Sequence, residues 1–164
     1  MSELVKSIKS MSESFFEEIR TCRRHLHQHP ELSFEEYRTA DFIENKLREI
    51  GIENIQRIAK TGVTFLLEGS RSGKNIALRA DIDALPILEK NEIDYKSKYE
   101  GLMHACGHDV HTSCLIGVAK ILSQLKSEFK GSVKFIFQPG EEKTPGGASL
   151  LIKEGILENP IPET

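Results

Sequence analysis

Apolar residues recur at helical spacing in the first thirty positions, at Phe15, Phe16, Ile19, Cys22 and Leu26. This pattern predicts a helix that Pro30 ends near His29. A second helix is predicted in SFEEYRTADFIENKLREIG, where Tyr37, Ala40, Ile43, Leu47 and Ile50 share one face. Ser33 and Glu36 have the spacing of a capping box before it, and Gly51 supplies the stop. The period then drops to two. Val63, Phe65 and Leu67 alternate in TGVTFLLEG, and NIALRAD reads as another strand. The turn GSRSGKN between them predicts a hairpin, and NEIDYKSKYEG (91–101) is polar and loop-like. HDVHTSCLIGVAKILSQL reads as a helix with Asp109 as N-cap and with Val110, Cys114, Val118, Leu122 and Leu125 along one side. SVKFIFQ is a strand by the alternation of Val133, Phe135 and Phe137, and a short helix near 146–154 is closed by Gly155. Helices alternating with strands predict an α/β fold, an open, mixed and mostly parallel sheet flanked by helices.

Composition narrows the class. The 164 residues are 38% hydrophobic and 29% charged, which suits a soluble globular chain with a sizeable core. A net charge of −3 provides neither a basic footprint for nucleic acid nor a polybasic membrane anchor. The chain has no run of about 18 apolar residues, and its N-terminus lacks the apolar core of a signal peptide. Cys22, Cys106 and Cys114 are too few and too odd for a disulfide framework, so a reducing cytoplasm is the expected location.

Three chemical groups sit where such a sheet would converge them. Asp81 and Asp83 follow the strand NIALRA, and Glu141 and Glu142 follow SVKFIFQ. Cys106 and His108 precede the helix between them. Ligands of open α/β sheets bind beyond the carboxyl ends of the strands. Each group alone has a plain structural explanation: a buried thiol, a solvated turn, a loop brace. Together, thiolate, imidazole and carboxylate are the donor types that hold zinc-like ions, with a further carboxylate to accept a proton from water. A thiol hydrolase with Cys106 as nucleophile and a nearby histidine as base is the competing chemistry. His25, His27 and His29 read as cations at the negative pole of a helix, and Cys22 and Cys114 as packed thiols. GSRSGKN lacks the glycine spacing of a phosphate loop and is followed by a strand.

RRHLHQHPELSFEE (23–36), LRADIDALPI (78–87), MHACGHDVHT (103–112) and FQPGEE (137–142) with GGA (146–148) appear in this order. Together they resemble the metal-dependent amidohydrolases of the aminoacylase, hippurate hydrolase and carboxypeptidase superfamily. The branch is the one that cleaves N-acyl amino acids. The resemblance implies that Cys106, His108 and Glu142 bind metal, that Glu141 is the general base, and that Asp83 supports the site from behind. Asp81 falls where other branches place a ligand histidine, and its role stays open. Two divalent ions among zinc, manganese, cobalt and nickel are implied. So are an N-acyl amino acid or small peptide substrate and a homodimer for the full-length protein. Residues 1–164 would be the N-terminal part of a zinc-peptidase-like catalytic domain. The inserted dimerisation domain and the C-terminal half, with two further ligand histidines, would lie outside it. The function expected is amide hydrolysis by metal-activated water. The alternative is a truncated, catalytically incomplete fragment that binds metal weakly or needs a partner chain.

Overall fold

The structure is a computed structural model that describes residues 3–164. Helix α1 spans Glu3–Gln28 and α2 spans Tyr37–Glu49. Strands β1 (Gln56–Ile58), β2 (Gly62–Glu68) and β3 (Asn75–Asp81) follow. Helix α3 (His108–Gln124), strand β4 (Ser132–Gln138) and helix α4 (Gly147–Lys153) complete the order. Among the described residues, no helix is long and apolar enough to cross a membrane.

The strands form one open sheet in the order β1-β2-β4-β3. The open, mixed, helix-flanked sheet is as expected, but it is not mostly parallel within these residues: β3 pairs β4 parallel, while β1–β2 and β2–β4 are antiparallel. The hairpin expected between β2 and β3 does not form, because β4 lies between them. The reason is in the burial. Strand β4 is buried at every position after Ser132, whereas β3 leaves Ile76 and Arg79 exposed or partly so. The most apolar strand takes the centre, and its backbone is then satisfied on both edges.

The main core lies on the helical face. Val63, Phe65 and Leu67 of β2 and Val133, Phe135 and Phe137 of β4 meet Ala40, Ile43 and Leu47 of α2 and Leu115, Ile116 and Ala119 of α3. Phe65 and Phe135 are register partners and stack with centroids 4.5 Å apart. On the opposite face, Ile136 packs with Leu151 and Ile156. The buried Lys134 donates to the carbonyls of Ile156 (2.7 Å), Glu158 (2.6 Å) and Pro160 (3.0 Å), tying down the segment after α4.

Local expectations fail where a side chain is taken by a distant partner. The capping box before α2 is absent. Ser33 instead donates to Asp83, and Glu36 accepts from Thr61 (2.6 Å) and from the Gly140 N–H (2.8 Å). Asp109 does not cap α3; the helix starts at His108, two residues earlier than an Asp109 cap would place it, after Gly107, whose φ of +81 lies in the left-handed region. Asp109 is fully buried. The inward side of α3 runs through Thr112, Leu115, Ile116 and Ala119, because the helix meets both the sheet and α1. Val110 and Cys114 therefore face outward, and Cys114 is an exposed thiol rather than a packed one, while Cys22 is buried as expected.

Candidate metal centre

Parallel pairing of β3 with β4 sets Asp81 opposite Gln138, so both strands end at the same level. The pairing runs one residue further, with the Ile82 N–H donating to Gln138 at 3.0 Å. Asp83 and the pair Glu141–Glu142 then leave the sheet side by side. Glu36 clamps the turn between them through Gly140, whose φ is +58. A Cβ at Gly140 would lie 2.3 Å from a Phe34 ring carbon, so no larger residue fits there. Thr112 donates to the Asp81 carbonyl at 2.9 Å and docks the first turns of α3 against the same end.

His108 opens α3 and points at the strand ends. Its Nδ1 contacts the Asp83 carbonyl oxygen at 3.0 Å and Asp83 Oδ1 at 3.1 Å. Both partners are acceptors, so Nδ1 carries the proton and Nε2 faces outward. Asp83 Oδ2 accepts from Ser33 at 2.6 Å and from the Glu142 N–H at 2.9 Å. Burial would raise this carboxyl, but the hydrogen bonds from His108, Ser33 and Glu142 outweigh it and hold the pKa at about 2. Asp83 is thus a spent carboxylate that fixes the imidazole, as groups behind metal ligands do.

The outward-facing Nε2 of His108 makes no hydrogen bond among the described residues. It stands 4.0 Å from Glu142 Oε1 and 4.0 Å from Asp81 Oδ2. Cys106, His108 and Glu142 each bring one ligand atom within 4.8 Å of the others. Zinc–nitrogen bonds of about 2.0 Å and zinc–sulfur bonds of about 2.3 Å put tetrahedral ligands about 3.3–3.8 Å apart. The 4.0 Å spacings of His108 Nε2 are too long for hydrogen bonds and close to those of atoms sharing an ion. The donor set and its geometry therefore fit a divalent metal.

Electrostatics separates the two chemistries considered for Cys106. A hydrogen bond to Glu142, slight desolvation of this otherwise exposed thiol, and the charges of Glu142, Glu141 and Asp83 push its pKa up to about 11. A nucleophilic cysteine needs positive surroundings, and this one has carboxylates. A cation at the same place reverses the balance and makes the thiolate a donor. Glu141 is exposed beside Glu142, and its charge also raises Asp81, whose carboxyl is lifted first by burial. Asp81 pairs with Arg79 through its other oxygen.

The sequence-selected residues Cys106, His108 and Glu142 thus come together, Asp83 lies directly behind His108, and Glu141 stands at the rim. Sequence reading missed His111, which with Asp81 and His108 forms a second, overlapping group of ligand atoms within 4.8 Å. Its spacing of three residues from His108 on one helix was the available signal. It also missed the surroundings of His27, which is buried and bonded at both ring nitrogens instead of capping a helix dipole.

The peptidase family M20/M25/M40 matches residues 77–163. An N-acyl-L-amino acid amidohydrolase of Geobacillus stearothermophilus is 44% identical over 153 residues, 93% of this chain and 41% of that protein. An N-acetyl-L-cysteine deacetylase of Bacillus subtilis is 50% identical over 136 residues, 83% of this chain and 32% of its own length. The crystal structure of Bacillus subtilis YXEP, a dinuclear metal-binding peptidase from the M20 family, superposes with a TM-score of 0.84 at 47% identity, covering 88% of this chain and 41% of that one. The chain spans about two fifths of the length of the first of these relatives. The matched segment holds both acidic strand ends and the whole Cys106–His108 turn, and by that match the chain belongs to the peptidase family M20/M25/M40.

Proposed function

We propose that this chain is the N-terminal part of a catalytic domain that hydrolyses the amide bond of N-acyl amino acids or small peptides. Cys106, His108 and Glu142 would hold a divalent ion, and Glu141 would serve as general base. The observation that carries this reading is the convergence of three unlike donors, with the proton of His108 already fixed on the far nitrogen by Asp83. Bound there, a divalent ion polarises the amide carbonyl and acidifies water.

The chain's own residues supply the rest. Glu141 takes a proton as water oxygen bonds to the amide carbon, then returns it to the nitrogen as the carbon–nitrogen bond breaks, leaving an amine and a carboxylic acid whose proton then passes to the amine or to solvent. Asp83 keeps the His108 lone pair aimed outward throughout. Cys106 donates and does not attack. All three cysteines are free, which suits a reducing compartment such as the cytoplasm. Names of the relatives support N-acyl amino acids as the substrate class and hence a small-molecule partner, and the dinuclear neighbour supports a second ion.

One observation favours the second reading, a chain that binds metal without turnover or needs a partner chain. Among the described residues, the two groups of potential ligands share His108, so they do not offer two ions separate sets of donors. Amine release from N-acetyl-methionine and hippurate with Mn²⁺ or Zn²⁺ decides between them. Glu141→Gln should lower the rate by at least about 100-fold while leaving metal affinity in place. An unchanged rate contradicts the general-base assignment, and bound metal without any release favours the second reading.

A further inference from the structure

Behind the metal-facing residues lies a buried charged cluster that the proposed chemistry does not use. His27 of α1 is bonded at both ring nitrogens to carboxylates: Nδ1 to Asp109 Oδ2 at 2.8 Å and Nε2 to Glu89 Oε1 at 3.0 Å. Arg23 Nε lies 2.8 Å from the same Asp109 oxygen. The side chains of His27, Glu89 and Asp109 are at most 3% exposed. Glu89 also accepts from the Ser97 N–H at 2.7 Å and from Asn91 at 3.2 Å, so the loop between β3 and α3 is tied into the same bridge.

Asp109 directly follows His108, and that adjacency gives the bridge its consequence. Successive helical residues point about 100° apart around the axis. Holding Asp109 against α1 therefore fixes the direction in which His108 faces the strand ends. On the other side of the turn, Met103 and Leu85 exchange two backbone hydrogen bonds of 3.0 Å each, so the segment carrying Cys106 is anchored at both ends. Between these anchors His104 is 4% exposed with both ring nitrogens unpartnered, and Asp109 Oδ1 is also unpartnered.

We propose that the Arg23–Asp109–His27–Glu89 bridge is a positioning device, with Asp109 as its key residue, that sets the presentation of Cys106 and His108 to an incoming metal. The proposal rests on the metal reading of that site. A bridge of merely structural value would stabilise the whole fold evenly. A positioning bridge acts on the turn at 103–108 first, and on donor geometry through it.

The test compares the chain with Asp109→Asn, His27→Gln and Glu89→Gln variants. Glu89→Gln acts at the outer end of the bridge and keeps the test open if Asp109→Asn does not fold. Amide hydrogen exchange is followed without metal, and Co²⁺ binding is followed by the thiolate-to-cobalt absorption band. The variants should raise exchange in 103–108 by about tenfold or more relative to α2 and β2. They should weaken Co²⁺ binding by about 10–100-fold, as loss of groups behind metal ligands does. Exchange that is unchanged at 103–108, or raised evenly along the chain, overturns the proposal. A parent chain that takes up no cobalt contradicts the metal reading instead, and the exchange pattern still decides the bridge.

Discussion

Two histidines in this molecule stand among carboxylates, and they are arranged in opposite ways. His27 is closed: its nitrogens lie 2.8 Å and 3.0 Å from Asp109 and Glu89. His108 is closed on one side only, by Asp83, and its other nitrogen is 4.0 Å from both Asp81 and Glu142. The first spacing is a hydrogen bond and the second is room for an ion. Burial separates them as well, since Glu89 and Asp109 side chains are at most 1% exposed and that of Glu142 is 20% exposed. The comparison teaches that residue type does not separate a bracing histidine from a candidate ligand. What separates these two is whether the second ring nitrogen has a hydrogen-bond partner.

Breaking the closed side should show the largest effect, and a local one. Asp109→Asn leaves His27 and Arg23 facing a neutral group in a buried place, and the turn at 103–108 should exchange about 100-fold faster while urea unfolding of the whole chain changes by no more than about 1 kcal/mol. A rise in exchange shared equally by α2 and β2 would make the bridge a global brace instead.

Acid tests the backing of the open side. The Asp83 carboxyl has an ordinary pKa of 3.8 and is held at about 2 in the fold. A group lowered by folding stabilises fully above its unfolded pKa and stops doing so as pH falls through its folded one. The metal-free chain should therefore lose about 2 kcal/mol between roughly pH 4 and pH 2, and Asp83→Asn should remove that part of the acid slope. An acid slope that is the same in the variant would contradict the assignment. The smallest effect is expected at the open side itself, where Glu142→Gln should move metal-free stability by no more than about 0.5 kcal/mol. A larger loss there would make Glu142 a structural residue first.

Much of this site was legible before the fold was known, and the reason is local. Asp81, Asp83, Cys106, His108, Glu141 and Glu142 each sit at the end of a strand or the start of a helix whose period is visible in the chain. What stayed hidden depends on distance along the chain. The His27–Asp109 contact joins residues 82 apart, and the Glu36 clamp on Gly140 joins residues 104 apart. Asp109 next to a helix start looks like a cap, and Ser33 with Glu36 looks like a capping box, because both patterns are short. Their oxygens were claimed by tertiary partners that no window of sequence contains. The β2–β3 hairpin failed for the same reason: nothing between Glu68 and Asn75 reveals that β4 inserts from 57 residues beyond β3's first residue.

The central claim is that Cys106, His108 and Glu142 hold one divalent ion, and cobalt substitution tests it most directly. Co²⁺ added to the chain should produce a thiolate-to-metal absorption band together with the visible bands of a low-coordinate site. Cys106→Ser should remove the first while leaving weaker visible bands, and His108→Ala should abolish both. A thiolate band that survives Cys106→Ser, or cobalt binding indifferent to His108, would contradict the account.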